Sequence, residues 1–326
     1  MKLNRTEIEM SYWNRKIPIN VRVSKIDLFL RIFVYIGPKF FYKFGRFRRA
    51  HKALSHPSQP FFNEDFRLPE IEVTLDCAKK DFDMLKIVIN HALQNILNPV
   101  IRLSVVVPSD STNTVKAMLS EISESVNLQI CSEDEVVSEK IRNNIQRMFP
   151  ERYGWILHQF LTLQQVLNCR STGILSIDSD TILLRPMAFV NMNHVQILME
   201  SLEYNAEYYS FLNKINPLYP LSPQSHVTHY SFFQPDLMNE IMRKSSIFSL
   251  EDFLIHIENF ADLHSTSSIC IDREFYAIGL QIYYPEYFTL VKFSNISVTR
   301  KMIFDPNFLK RLASKYNSIS AHSYLN

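Results

Sequence analysis

Two aspartates one residue apart, Asp178 and Asp180, interrupt the apolar run Gly173–Pro186, GILSIDSDTILLRP. An unpaired carboxylate is costly to bury, so the pair belongs at the mouth of a crevice or around a cation. Two carboxylates at i, i+2 offer hard oxygen ligands of the kind that Mg²⁺ or Mn²⁺ takes. Ile174, Leu175 and Ile177 read as a strand buried on both faces, and Ile182, Leu183 and Leu184 resume the apolar pattern. The aspartates therefore fall at the carboxyl end of a buried strand, where open α/β sheets bind their ligands. The competing reading is an ordinary Asx turn, with Ser179 and Thr181 helping to cap the next segment.

The elements that position this pair must come from a chain able to bury a large core: 326 residues, 46% of them hydrophobic. With 5 Gly and neither a G-x-G-x-x-G nor a G-x-x-x-x-G-K, dinucleotide and P-loop nucleotide binding are disfavoured. Cys77, Cys131, Cys169 and Cys270 stand far apart with no C-x-x-C, which argues against structural zinc and for a reducing compartment. The first twenty residues lack the apolar core of a secretory signal, so the expectation is a cytoplasmic protein.

The net charge of +2 conceals a division. Through Pro60 there are 13 Lys and Arg against 3 acids, whereas the remainder has 22 against 30. Within the basic part, Lys25–Lys52 interleaves Leu, Ile, Phe and Tyr with Lys and Arg, and its longest apolar run falls far short of the roughly 20 residues that cross a bilayer. Two readings compete: a helical segment on an anionic membrane surface, at the inner face of the cytoplasmic membrane, or a helix pair packed on the core. Nucleic acid is disfavoured by the aliphatic company of the aromatics.

After a polar, proline-punctuated linker from Ser55 to Glu70, strands and helices alternate. Strands are expected over Ile71–Cys77, Ile101–Pro108 and Val126–Val137, and helices over Asp81–Leu97, Thr114–Ser123 and Tyr153–Asn168. Repeated βα units predict an α/β fold with a mostly parallel central sheet and helices on both faces. Val195–Phe211 reads as helical, and HVTHYSFFQPDLMNEIM as strand, turn and helix. The expected division is a basic, aromatic segment over 1–68 and one α/β domain over 69–326.

The order LDCAKKD, VVPSD, RYGWILHQFLTL, ILSIDSDTILLRP resembles the nucleotide-sugar-dependent glycosyltransferases of the GT-A fold, and within them a bacterial group that includes cell-surface polysaccharide enzymes. The resemblance implies a Rossmann-like sheet on which Asp178 and Asp180 hold a divalent metal, Mn²⁺ or Mg²⁺, bridging the diphosphate of a sugar nucleotide, with UDP the default. Asp178 would also touch the ribose, and His322 in the tail AHSYL would be a third metal ligand. It places Lys79, Lys80 and Asp81 near the nucleotide, Arg152, Trp155 and Gln159 around the nucleotide or sugar pocket, and His229 on the acceptor side. Asp272 and Glu274 are the candidate catalytic or acceptor-binding carboxylates, since an inverting transfer needs a base for the acceptor hydroxyl. The His-x-x-Gly-x-x-Lys tail of well-known relatives is absent.

The expected activity is transfer of a sugar from a nucleotide diphosphate sugar to a cell-surface glycan, lipopolysaccharide, capsule or similar, the acceptor being a glycan or lipid-linked. Two alternatives use the same residues: a metal-dependent phosphoryl or nucleotidyl transferase, with Asp272 as a further metal carboxylate, and a non-catalytic membrane adaptor that keeps the fold.

Overall fold

The computed structural model describes residues 67–326, apart from 125, 202, 204, 221–224, 262–268 and 324–326. The basic segment expected over 1–68, with its membrane reading, thus lies outside the described residues but for its last two positions. Among the described residues no helix is long and apolar enough to cross a membrane.

The central sheet has the order β3-β2-β1-β4-β7, from β1 (Ile71–Asp76), β2 (Val100–Val107), β3 (Leu128–Ser132), β4 (Ile174–Ile177) and β7 (Tyr230–Phe233). The first four are parallel, with Leu75 opposite Val105 and Val73 opposite Leu175, and β7 runs antiparallel to β4. Each parallel pairing requires a crossover. Helix α1 (Phe82–Asn95) follows β1 and α2 (Thr112–Met118) follows β2. After β3 come a one-turn helix, α3 (Glu133–Val136), then α4 (Glu139–Met148) and α5 (Tyr153–Asn168), which leads to β4.

Side chains of a strand alternate between faces, and the sheet separates two cores accordingly. Val106 of β2 and Ile174 of β4 join one core with Phe160 of α5 and Phe275. Their neighbours Val105, Val107, Leu175 and Ile177 join the other with Met84, Leu85 and Val88 of α1. The mostly parallel, helix-flanked sheet is the one the βα pattern predicts.

Boundaries differ where local chemistry intervenes. The third strand stops at Ser132 because Ser132 and Glu135 form a reciprocal capping box that starts α3, with bonds of 2.8 and 3.2 Å. The helix expected from Val195 is in its first part a strand, β6 (Gln196–Glu200), which pairs in parallel with β8 (Phe288–Lys292); only Ala206–Ile215 is helical, as α6. Pairing with a strand far along the chain overrides the local pattern, and the buried Gln196 amide ties β6 to β7 by donating to Phe232 O at 3.1 Å.

Three further helices, α7 (Pro235–Lys244), α8 (Leu250–Ala261) and α9 (Arg273–Tyr283), complete the first core. A small sheet of order β5-β10-β9 joins β5 (Thr181–Leu183), directly after the aspartates, to β10 (Ser318–Ser320) and β9 (Asn295–Ser297). Helix α10 (Pro306–Ala313) lies between β9 and β10 in sequence.

Candidate functional site

A cavity of about 500 Å³ opens at the carboxyl ends of β1 and β4. Its wall takes Asp76 to Ala78, Lys80 and Asp81 from beyond β1, Trp155 and His158 from α5, Asp178 to Asp180 from beyond β4, and also Glu133, His229 and His322. Asp178 and Asp180 follow Ile177, the last residue of β4, and Asp178 N still donates to His229 O at 2.8 Å.

The two aspartates sit in different surroundings. Asp178 Oδ1 accepts from Arg273 Nη2 at 2.7 Å, and Oδ2 accepts from His229 Nδ1 at 2.9 Å. Arg273 comes from the first position of α9 and its side chain is almost wholly buried. Burial opposes the charge of Asp178, but Arg273 first and His229 second hold its carboxyl far below the usual carboxylate range. The same contacts act in reverse on His229: burial disfavours the imidazolium, and the bond to Asp178 outweighs it and raises the pKa.

Asp180 instead meets the tail. Its Oδ2 lies 2.8 Å from His322 Nδ1, and its backbone carbonyl accepts from Ala321 N at 2.8 Å. The antiparallel register of β5 with β10 sets Thr181 opposite Ser320, their hydroxyls 2.9 Å apart. That register carries His322 to Asp180 and to within 5.0 Å, ring to ring, of His229.

Sequence reasoning missed a third carboxylate–imidazole pair. Asp76 ends β1 as Asp178 follows β4, and its Oδ2 lies 3.0 Å from His158 Nδ1 and accepts from Thr162 Oγ1 at 3.3 Å. His158 Nε2 stands 3.7 Å from Asp178 Oδ1. Burial works against a charged His158, and the hydrogen bond to Asp76 overrides it, raising the pKa. The signal was present: a carboxylate closing a buried strand is the pattern that singled out Asp178. Arg273 and Arg300 were missed because an arginine in a mixed segment has no local mark of the carboxylate it will meet.

The expected site residues divide. Asp178, Asp180, His229, His322, Trp155, Lys80 and Asp81 share the cavity wall. Asp81 is held by an ion pair with Arg300 and accepts from Ser179 Oγ at 3.4 Å. Lys79 lies outside the wall, exposed and paired with Asp110. Arg152, in the turn before α5, is outside it too. Trp155 lines the cavity and donates from Nε1 to Ile269 O at 3.3 Å. Gln159 is wholly buried and faces away: Nε2 donates to Ile269 O at 3.1 Å and Oε1 accepts from Ile271 N at 2.7 Å, so it fastens α5 to the segment before α9.

Neither Asp272 nor Glu274 lines the cavity, and both are fully buried. Asp272 accepts from the Cys270 thiol at 3.3 Å. Glu274 Oε1 accepts from Ser225 Oγ at 2.7 Å, His226 N at 2.9 Å and the Tyr209 hydroxyl at 3.1 Å, while Oε2 has no hydrogen-bond partner among the described residues. Burial drives the Glu274 carboxyl up to about 7 despite those donors.

As a cation site, Asp180 and His322 form a carboxylate–imidazole pair of a kind that suits Mn²⁺. Among the described residues no three His, Cys, Asp or Glu side chains are grouped so as to hold a metal ion. Asp178, beside this pair, accepts one hydrogen bond on each oxygen, from Arg273 and from His229.

No family model and no curated protein matches the sequence. Solved structures do. Mouse xyloside xylosyltransferase 1, apo form, is similar at TM-score 0.45 and 12% identity, covering 79% of this chain and 99% of that one. The galactosyltransferase LgtC in complex with donor and acceptor sugar analogs is similar at 0.43 and 10%, covering 77% and 86%. Glucosyl-3-phosphoglycerate synthase from Mycobacterium tuberculosis, in complex with Mn²⁺, UDP and glucosyl-3-phosphoglycerate, stands at 0.31 and 15%, covering 69% and 70%. At these scores the likeness is one of overall chain course, and no residue role or ligand is carried across.

Proposed function

We propose that the chain is a metal-dependent glycosyltransferase that moves a sugar from a nucleotide diphosphate sugar, UDP by default, to a glycan acceptor of the cell-surface, lipid-linked kind. The observation that carries this reading is the meeting of Asp180 with His322, 2.8 Å apart, beside Asp178 in the cavity. A volume of about 500 Å³ suits a ligand of nucleotide-sugar size.

The charge of the wall supports metal dependence. Asp76, Asp81, Glu133, Asp178 and Asp180 all line it, against Lys80 as the lining Lys or Arg. Arg300 neutralises Asp81 and Arg273 neutralises Asp178 from outside the wall. His158 and His229, raised in pKa against burial by Asp76 and Asp178, offset those two carboxylates in part, and Asp180 and Glu133 remain as acids that favour a cation beside an incoming diphosphate. Asp180 and His322 would hold a divalent cation there, with the remaining ligands coming from the diphosphate. When bound, such a cation stabilises the negative charge that develops on the leaving diphosphate.

The chain's own residues do the positioning. Arg273 and His229 lock Asp178 in its ionised form and in one orientation, ready to accept a hydrogen bond from a ribose hydroxyl. His158, oriented by Asp76, adds a donor facing the same carboxylate. Trp155 offers an aromatic wall whose indole is pinned to Ile269. No base role is proposed for Asp272 or Glu274, which cannot reach a substrate in the cavity. Burial of Asp272 also weakens the phosphoryl-transferase alternative, which drew on it as a further metal ligand.

The test is incubation with a panel of nucleotide diphosphate sugars and Mn²⁺, measuring nucleoside diphosphate released. One donor should be hydrolysed slowly in a Mn²⁺-dependent manner, and Asp180→Ala should abolish release. Release that survives both chelation and Asp180→Ala would overturn the metal site, and no release or binding with any donor would overturn the transferase.

A further inference from the structure

We propose that residues 301–315 form a docking face for an anionic lipid bilayer. This face follows directly on Arg300, the residue that ties it to the cavity. Arg300 Nη1 donates to Lys80 O at 2.7 Å and Asp83 Oδ1 at 2.8 Å, Nε donates to Ala321 O at 3.1 Å, and the guanidinium pairs with Asp81.

From there the chain turns its apolar residues in two directions. Ile303 is buried, and Phe308, Leu309 and Leu312 of α10 pack against the second core. Met302 and Phe304, by contrast, are 40% and 63% exposed. A firmly seated segment thus presents a thioether and a phenyl ring to solvent, where burial in an acyl boundary is favourable and exposure to water is not.

Charge selects the occupant. Lys301, Lys310, Arg311 and Lys315 are all exposed, and Arg311 lies over the Phe308 ring at 5.9 Å. The stretch has one acid, Asp305, whose carboxylate is spent capping α10 by accepting from Asn307 N at 2.9 Å. Asp83 of α1 is paired with Arg300. Exposed cations interspersed along one segment with exposed apolar side chains complement anionic headgroups over an acyl layer. The chain's own residues 1–60, with 13 Lys and Arg against 3 acids, carry the same sign as this face, and so does the face of a second copy. Like charge disfavours both.

The experiment uses the full chain with phosphatidylcholine vesicles, with and without phosphatidylglycerol, in a flotation assay. Binding should require phosphatidylglycerol and weaken with salt, and Lys310→Glu with Arg311→Glu should lower the partition constant about tenfold or more. Because the basic N-terminal segment could bind the same vesicles, a local probe accompanies this. Phe304→Trp should shift its emission to the blue on phosphatidylglycerol vesicles and be quenched by brominated acyl chains. No binding by the wild type, equal binding to phosphatidylcholine alone, or binding that leaves the Phe304→Trp emission unmoved would each overturn the proposal. None of these readouts depends on sugar transfer, so failure of the transferase reading would leave them standing.

Discussion

Asp178 and Glu274 show two responses to the cost of burying a carboxylate. Asp178 stays charged because a buried guanidinium and an imidazole meet both its oxygens. Among the described residues Glu274 has three donors on one oxygen and none on the other, and burial holds its proton up to about pH 7. A carboxyl whose pKa rises on folding binds its proton more tightly in the native state. Its contribution is therefore intact below the ordinary value of 4.5 and is lost as pH rises through 7. Glu274→Gln keeps an oxygen for the three donors and removes the charge. Thermal unfolding across this range should show a flatter pH dependence for the variant than for the wild type, the gap growing to at most a few kcal/mol. Parallel curves would show that Glu274 does not titrate there. At this scale the sequence singled out Asp178 and Asp180, because a carboxylate in an apolar run carries its own anomaly, whereas His322 came only from the family resemblance. It misplaced Glu274, because nothing in SSICIDREF distinguishes an inward helical face from a cavity wall.

At the scale of elements, most of the βα order was legible from period and punctuation, since β2 and β4 are mostly apolar and β1 alternates apolar with polar residues. β6 was not, because its partner β8 lies far along the chain and QILME fits a helix as well as a strand. The pairing of β5 with β10 was equally hidden, yet it is what delivers His322 to Asp180. Helix α9 carries another long-range constraint. Gly279 would be replaced by Ala with a gain of about 1 kcal/mol if helix propensity decided. Here a methyl group would strike the Ile241 side chain and stand 2.7 Å from the Tyr219 hydroxyl. Overpacking of about 1–3 kcal/mol should win, so Gly279→Ala should lower the denaturation midpoint, measured by denaturant titration. A raised midpoint would mean that α7 yields to α9.

For the molecule as a whole, the sheet divides the described residues into two cores, and the ends of β1 and β4 bring residues from both into one cavity. The helix-flanked parallel sheet was readable because each crossover leaves a helix-length pattern between strands. The site's electrostatics were not, because Arg273, Arg300, Asp76 and His158 meet only after folding. The proposed transferase needs a cation at Asp180 and His322 before a nucleoside diphosphate binds, and that requirement is the central claim. It is tested most directly by calorimetric titration of the full chain with UDP, with and without Mn²⁺, for the wild type and Asp180→Ala. The account predicts heat of binding only for the wild type with Mn²⁺, and a null for the variant. UDP binding of equal strength without Mn²⁺, or undiminished in Asp180→Ala, would contradict it.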